Sequence, residues 1–172
     1  MHWADHTAMR LSKQYDSQVI ASGITPSGEF HIGHLREILT AEMIHRACLD
    51  AEINSEYIFI VDSMDPLRRV YSFLSEEYQK YIGCPLVNIP APNPDGTPNL
   101  EGGNYANYFL QPFLEALKEI GVHPKVVMNH ETYNNGEFAT KIDMAIQNKD
   151  KIHEIIEKIS GRELPEEWFP YN

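Results

Sequence analysis

Cysteine is scarce in this sequence: 172 residues contain two, Cys48 and Cys84. They lie far apart, and neither belongs to a Cys and His cluster with the spacing of metal ligands. The scarcity excludes a small disulfide-stapled fold and gives no sign of a zinc-finger type of site. We therefore interpret both cysteines as buried or incidental thiols in a reducing compartment.

Long apolar runs are also missing. No segment approaches the roughly 20 consecutive apolar residues that a membrane-spanning helix needs. The first residues, Met1–Asp5, lack the charged and then apolar pattern of a secretory signal. With 42% hydrophobic residues the chain can build one core. We therefore expect a single globular unit, 1–172, in the cytoplasm, with no membrane partner.

Basic residues are few. The 14 Lys and Arg residues face 25 Asp and Glu residues, which gives a formal net charge of −11. Because the phosphate backbone dominates nucleic-acid affinity, a chain this acidic is a poor general binder of nucleic acid. Basic side chains adjoin each other at Arg68–Arg69, and lysines are scattered between Lys118 and Lys158. Any contact with nucleic acid must therefore be local.

Helical and strand patterns alternate along the chain. They predict strands at 18–22, 56–61 and 125–128. They predict helices at 4–14, 31–49, 105–120 and 137–160, a helix beginning at Asp65–Pro66, a short helix from Ser75 to Gly83, and a Pro-rich loop at 85–104. This alternation is typical of an α/β fold whose parallel sheet is flanked by helices. Ligands of such sheets bind outside the carboxyl ends of the strands, where Ser22, Gly23 and Asp62 fall.

The segment 22–34, SGITPSGEFHIGH, joins the first predicted strand to a helix. Free N–H groups and the helix dipole favour an anion at such a helix start, and the two histidines add side-chain donors. A glycine between them leaves room for a flat ring or a phosphate on the backbone. A single histidine at a helix start is usually a simple cap, but the whole combination favours a triphosphate site. The candidate ATP-binding residues are Pro26, Gly28, His31, Gly33 and His34, of which His31 and His34 are the candidate catalytic pair.

Two carboxylates follow the second predicted strand. Asp62 and Asp65 are three residues apart and precede Arg68. One interpretation makes Asp65 a helix cap and Asp62 a surface acid. The other puts Asp62 beside the amino groups of a cationic substrate or a ribose, because an unpaired buried ammonium ion is costly.

Several blocks of the sequence resemble one enzyme family. His31–His34, HIGH, resembles the first signature of class I aminoacyl-tRNA synthetases, and Ala21–Gly28 resembles that of the class I (archaeal-type) lysyl-tRNA synthetases. Asp62–Tyr71 is similar to the next block of that family, and Ser160–Leu164 and Glu167–Asn172 are similar to the stretch before its zinc-binding cysteines. The resemblance therefore spans almost the whole chain.

The resemblance implies a Rossmann-like (HUP-type) parallel sheet and the activity of a lysine–tRNA ligase. Such an enzyme uses ATP with Mg²⁺ to activate L-lysine and then transfers the lysyl group to tRNA-Lys. By the resemblance, Gly23, Thr25 and Asp62 line the lysine side of the pocket. His31 and His34 stabilise the charge that develops on ATP, while Gly33 admits the adenine or ribose.

Parts of the family pattern are missing from the sequence. It has no lysine-rich loop of the KMSKS type and no anticodon-binding region. We therefore interpret the chain as the N-terminal part of a longer enzyme. We expect this part to be inactive alone, with the main tRNA contacts made by the remaining parts. The family often carries a zinc site near 91–108, but here that stretch holds no Cys or His. We therefore expect no zinc, with Tyr105 and Tyr108 packing in its place. His130, which follows a strand, is a weaker candidate for the ligand-binding cleft expected at the carboxyl ends of the strands.

Two other functions remain open from the sequence. A stand-alone nucleotidylyltransferase of the same superfamily could be this short and use a similar histidine turn, although the segment 22–28 argues against it. A non-catalytic fragment that holds ATP without turnover is the second alternative.

Overall fold

The computed structural model describes residues 2–170. Six α-helices lie at Trp3–Ser12 (α1), Ile32–Asp50 (α2), Tyr105–Glu119 (α3), Asn129–Asn134 (α4), Ala139–Gln147 (α5) and Lys149–Ser160 (α6). Five strands lie at Ser17–Ile24 (β1), Asn54–Val61 (β2), Pro90–Pro92 (β3), Pro98–Asn104 (β4) and Lys125–Met128 (β5). Short 3-10 helices occupy Glu76–Tyr81 and Leu86–Asn88. No described helix is both long enough and apolar enough to cross a bilayer.

A parallel sheet with strand order β1-β2-β5 organises the first part of the chain. β2 is central because its run of aromatic and β-branched residues suits a strand covered on both faces. Phe59 and Val61 are fully buried, while Ile58 and Ile60 on the other face are half-buried. The predicted α/β class, with a parallel sheet and flanking helices, is confirmed.

α3 joins two hydrophobic clusters. Its Leu110 and Phe113 pack with the strands and with Ile38 of α2. One turn earlier, Tyr105 and Phe109 pack into a second cluster formed by residues 67–89. The helix therefore fixes the 67–89 segment beside the sheet, which brings that segment to the start of α2.

The predicted helix at Asp65–Pro66 is wrong. This segment lies extended against 83–87, where Leu67 N–H donates to Cys84 O at 2.9 Å and Leu86 N–H donates to Asp65 O at 3.0 Å. These long-range bonds satisfy the backbone groups that a helix would have paired locally. The Asp65 carboxylate accepts from the Thr25 hydroxyl instead of capping a helix.

The predicted loop at 85–104 is wrong over 90–104, which forms the antiparallel hairpin of β3 and β4. Asp95 accepts from both the backbone and the hydroxyl of Thr97 and so closes the turn. Gly96 has φ +82°, and a Cβ there would lie 2.6 Å from Phe73 O. Turn chemistry at Asn93–Thr97 thus outweighs the prolines, which sit at strand ends where they cost little.

The predicted helix 137–160 is divided into α5 and α6 at Asn148. The Asn148 side-chain amide donates to Met144 O at 2.8 Å, a local bond that competes with helix continuation. The chain forms two compact units, 1–130 and 131–172. In the second unit Trp168 packs edge-on against His153, with 5.7 Å between ring centroids. Tyr171 and Asn172, at the end of the family-like block 167–172, lie outside the described residues, as does Met1.

Candidate active site

The carboxyl ends of β1 and β2 meet, as the sequence predicts. Ile24 pairs with Val61 in register, and Asp62 N–H donates to Ile24 O at 3.0 Å. The Asp62 carboxylate lies beside Gly23, since a Cβ on Gly23 would lie 3.9 Å from Asp62 Oδ2. The candidate residues Gly23 and Asp62 therefore line one place in the cleft.

His31 and His34 form a reciprocal cap at the start of α2. His31 Nδ1 accepts the Gly33 N–H at 3.0 Å, and His34 Nδ1 accepts the His31 N–H at 3.0 Å. The two ring centroids are 4.0 Å apart. Because each Nδ1 accepts a hydrogen bond, the proton of each neutral ring is assigned to Nε2. The cap therefore leaves two Nε2–H donors.

The pKa of His34 lies below its ordinary value. Burial is the main cause, the neighbouring His31 acts in the same direction, and Glu37 opposes them. The neutral ring is therefore favoured, which fits an imidazole whose Nδ1 must accept the backbone N–H of His31.

Gly33 is needed by the cap itself. A Cβ at this position would lie 2.7 Å from His31 Cε1 and 2.9 Å from its Nδ1, closer than packed atoms allow. The ring of His31 covers the backbone at the place where the sequence predicts an adenine or ribose. The nucleotide contact of Gly33 stays a prediction, but the geometry supplies an independent reason for glycine.

The turn between β1 and α2 is held from two sides. Pro26 is fully buried, and Thr25 Oγ1 donates to Asp65 Oδ2 at 2.8 Å. From the other side, the fully buried Tyr105 donates its hydroxyl to Ser27 O at 2.7 Å. Burial raises the pKa of Tyr105, so the hydroxyl keeps its proton and remains a donor. The predicted packing of Tyr105 thus anchors this turn, residues 25–31, which we call the signature turn.

Carboxylates crowd around the end of β1. The pKa of Asp62 is raised by burial first, then by Asp65 and by Glu37, against the lowering effect of a hydrogen bond from Asn129. Asn129 Nδ2 donates to Asp62 Oδ1 at 2.6 Å. A partly buried carboxylate with further negative charge beside it is complementary to a cation, which would favour the ionised form.

Sequence reasoning missed Glu37 and Asn129. Glu37 Oε1 accepts the Gly23 N–H at 3.2 Å from across the cleft. The signal for Glu37 was its place one helical turn after His34, on the same face of α2. Asn129 follows the end of β5, which the parallel order brings beside β2, so its position was available from the strand prediction.

His130 lies near the cleft in a structural role. Its Nδ1 is 2.8 Å from Ser63 Oγ, and its backbone N–H donates to the same hydroxyl at 3.2 Å. Ser63 is fully buried. The pair therefore ties the end of β5 to the end of β2.

A cavity of about 510 Å³ opens beside the histidine pair. Its lining combines the signature turn, the 71–73 segment, the hairpin turn and the start of α3, and includes Thr25, Gly28, His31, His34, Phe73 and Tyr108. Gly28 is in close contact with Phe73, because a Cβ there would lie 3.3 Å from Phe73 Cζ. The structure thus brings Gly28, His31 and His34 to one cavity.

Among residues 2–170 no group of three or more His, Cys, Asp or Glu side chains has an arrangement that could hold a metal ion. Asp95, a possible metal ligand in the 91–108 stretch, already accepts hydrogen bonds from the Thr97 backbone N–H and hydroxyl. The absence of zinc stays a prediction, which elemental analysis of the purified protein would check.

Tyr105→Phe should loosen the signature turn. The substitution leaves Ser27 O without its buried donor, so we expect a loss of about 1–3 kcal/mol in the free energy of unfolding by urea. Amide hydrogen exchange at residues 27–28 should accelerate. Tyr78→Phe is the matched control, because it removes a similar buried bond, to Pro90 O at 2.9 Å, away from the turn. Equal exchange in both variants would contradict the anchoring role.

Comparison with known proteins agrees with this geometry. The chain matches the family described as tRNA synthetases class I (K) over residues 1–172. It is 44% identical over 171 residues to a lysine–tRNA ligase of Archaeoglobus fulgidus, covering 99% of this chain and 34% of the relative. It is 41% identical over 172 residues to one of Methanosarcina barkeri, covering 100% and 31%. The chain spans about a third of the length of these relatives, and it belongs to the family of class I (archaeal-type) lysyl-tRNA synthetases.

Proposed function

We propose that this chain carries the ATP- and lysine-binding part of a lysine–tRNA ligase, the enzyme that activates L-lysine with ATP and transfers it to tRNA-Lys. The observation that carries the proposal is the proximity of two sites of opposite character. The His31–His34 cap presents two hydrogen-bond donors, and the ends of β1 and β2 present a cluster of carboxylates. Glu37 lies close enough to act electrostatically on both His34 and Asp62. The first site suits a polyanion and the second suits a cation.

The proposed first step joins lysine to ATP. A carboxylate oxygen of lysine attacks the α-phosphorus, the new P–O bond forms, and the bond to pyrophosphate breaks. The Nε2–H groups of His31 and His34 donate to phosphate oxygens as their charge develops, so the contribution is electrostatic and positional. Mg²⁺ would enter with ATP and would supply further charge neutralisation at the phosphates.

The lysine end of the site uses the crowded carboxylates. The Asp62 anion is destabilised first by burial and then by the nearby Asp65 and Glu37, and an ammonium group would stabilise it. Gly23 and Thr25 line the same place through their contacts with Glu37 and Asp65. Substrate binding would therefore lower the pKa of Asp62 toward its ordinary value.

We propose that charging of tRNA-Lys needs segments beyond this chain. The sequence holds no lysine-rich loop, and the curated relatives are about three times as long. β1 lies at one edge of the described sheet, so its outer backbone groups can accept a further strand. As part of the translation machinery the protein would work in the cytoplasm, with most tRNA contacts supplied by those segments.

Lysine-dependent exchange between ATP and labelled pyrophosphate tests the proposal. We would measure it with each of the 20 amino acids, for the chain alone and for the chain joined to the remaining two thirds of the Archaeoglobus fulgidus relative. Exchange by the joined protein with lysine alone supports the proposal. Exchange that depends on an adenylyl acceptor other than an amino acid indicates a nucleotidylyltransferase, and ATP binding without any exchange indicates a non-catalytic fragment. Full charging by the chain alone would contradict the need for further segments.

His31→Ala and His34→Ala should each slow lysine activation by the joined protein by roughly 10²-fold or more, as expected for loss of a transition-state donor. The affinity for ATP should change much less, because the donors matter most when charge develops. His6→Ala is the control, since His6 is exposed on α1 outside the cleft. A loss of ATP affinity with unchanged turnover would contradict the charge-stabilising role.

Asp62→Asn should separate stability from binding. The raised pKa means that ionising Asp62 costs folding free energy as the pH rises through that pKa, so the variant should have a higher Tm than the parent at pH 7. The difference should vanish at a pH below the ordinary range of Asp. The affinity for lysine should fall about 10- to 100-fold, the cost of a lost charged hydrogen bond.

Calorimetric titration with lysine and thermal unfolding at several pH values would measure both effects of Asp62→Asn. Asp16→Asn, an exposed substitution outside the cleft, is the control and should change neither. A variant that keeps its lysine affinity would remove Asp62 from the binding site.

A further inference from the structure

Two adjacent residues after β5 hold two adjacent residues after β2. Asn129 Nδ2 donates to Asp62 Oδ1 at 2.6 Å, and the His130 backbone N–H donates to Ser63 Oγ at 3.2 Å. The His130 ring adds a further contact, with 2.8 Å between its Nδ1 and Ser63 Oγ. We name this arrangement the strand-end clamp, defined by Asp62, Ser63, Asn129 and His130.

The sheet fixes the backbone on both sides of the strand-end clamp. In the parallel pairing of β2 and β5, Val61 lies opposite Met128, so Asn129 follows at the position beside Asp62. On the other side, Asp62 N–H donates to Ile24 O at 3.0 Å. The freedom left to Asp62 is rotation of its carboxylate, a torsion whose preference is broad and roughly twofold. The hydrogen bond from Asn129 removes that freedom.

The Asn129 amide gives the two carboxylate oxygens of Asp62 different surroundings. Oδ1 accepts the amide, whereas Oδ2 lies on the Gly23 side, where a Cβ on Gly23 would be 3.9 Å from it. Gly23 is exposed near the end of β1. Oδ2 is therefore the oxygen that a ligand at this end of the sheet would meet.

The amide also leaves the charge of Asp62 without a cation. Asp65 has one beside it, because the Arg68 guanidinium lies 3.6 Å from its Oδ2. Among residues 2–170 the ion pairs include Asp65 but not Asp62. An amide donor orients a carboxylate and favours its ionised form but supplies no positive charge. Asp62 is therefore the carboxylate left for a cation from outside.

We infer that Asn129 is a positioning residue that makes the lysine side of the site selective for an ammonium group over a guanidinium. A guanidinium pairs best with both oxygens of a carboxylate, whereas an ammonium is a point charge that one oxygen can bind. Because Asn129 occupies Oδ1 of Asp62, the side-chain ammonium of lysine meets Oδ2, and the two-oxygen pairing of a guanidinium is blocked. The inference rests on the proposed function, which supplies lysine as the substrate.

Lysine-dependent pyrophosphate exchange by the joined protein tests the inference. The substitution Asn129→Leu keeps a side chain branched at Cγ and removes the amide donor. We would measure kcat and KM for lysine, and the inhibition constant of norarginine, an arginine analogue one methylene shorter whose guanidinium reaches as far as the lysine ammonium. The ratio of that inhibition constant to the lysine KM should fall about 10- to 100-fold, the effect of one charged hydrogen bond, while kcat changes much less.

The ionisation of Asp62 gives a second readout, which needs no ligand. Burial, Asp65 and Glu37 raise the pKa of Asp62, and the hydrogen bond from Asn129 lowers it. Asn129→Leu should therefore move the titration of the Asp62 carboxyl carbon, followed by NMR of the 172-residue chain, to higher pH. The other ionisable groups at this end of the sheet are the same in parent and variant: Glu37, Asp65, Arg68 and His130.

A matched control and a second variant separate positioning from folding. Asn54→Ala replaces an exposed asparagine at the opposite end of β2 and should change neither the ratio nor the titration. Circular dichroism and Tm identify an Asn129→Leu protein that does not fold. In that case Asn129→Ala, which removes the same donor without added bulk, decides the question.

An unchanged ratio, including no inhibition by norarginine in parent or variant, would overturn the inference, as would an unchanged titration of Asp62. A lysine KM and a norarginine inhibition constant that rise together would give an unchanged ratio and would assign Asp62 to the α-ammonium group that both compounds share. Failure of the proposed function is distinguishable, because the parent joined protein would then show no lysine-dependent exchange, which overturns both. Exchange by the parent with an unchanged ratio in Asn129→Leu overturns this inference alone.

Discussion

The reciprocal cap between His31 and His34 is the interaction on which the site depends. Each imidazole accepts a hydrogen bond at Nδ1 from a backbone N–H at the start of α2. The two bonds pair donors that would otherwise be left unpaired at the helix start. The same bonds assign the ring protons to Nε2, where the proposed reaction needs them. Any side chain at position 33 would displace the His31 ring, because a Cβ there would lie 2.7 Å from His31 Cε1. Helix capping and the chemistry of the site are therefore one arrangement.

A second constraint is the negative charge gathered at the ends of β1 and β2. Burial and the nearby Asp65 and Glu37 disfavour the ionised form of Asp62. Hydrogen bonds from Asn129 to Asp62 and from Thr25 to Asp65, together with the Arg68 guanidinium 3.6 Å from Asp65, offset part of that cost. Such an arrangement reduces the stability of the unliganded protein. A cationic substrate bound there would stabilise the carboxylates. The energetics of folding are thereby linked to the proposed selectivity for lysine.

The segment between β2 and α3 connects these features without a metal ligand set among the described residues. Asp95 and Thr97 close the hairpin turn, the Tyr78 hydroxyl donates to Pro90 O, and the Tyr105 hydroxyl reaches the signature turn. Burial raises the pKa of Tyr78 to about 12, so this donor keeps its proton across the physiological range. Phenol hydrogen bonds and ring packing thereby position both the hairpin and the cavity beside the histidine pair.

The sequence by itself determined the alternation of strands and helices, the parallel sheet and the position of the histidine turn. These features follow from local periodicity and from a short motif, so no distant contact was needed to predict them. Where distant contacts compete with local preference, prediction failed. Asp65 and Pro66 are residue types common at a helix start, yet the backbone of this segment forms hydrogen bonds with 83–87. The prolines of 85–104 did not prevent a hairpin closed by Asp95 and Thr97.

The tertiary structure alone decided which groups meet. Glu37 comes to Gly23 only because α2 packs across the end of β1, and Asn129 comes to Asp62 only because β5 pairs with β2. Tyr105 reaches Ser27 across 78 residues. The sequence supplies the chemical types of these side chains, but their pairing depends on the packing of whole elements, which local patterns do not encode.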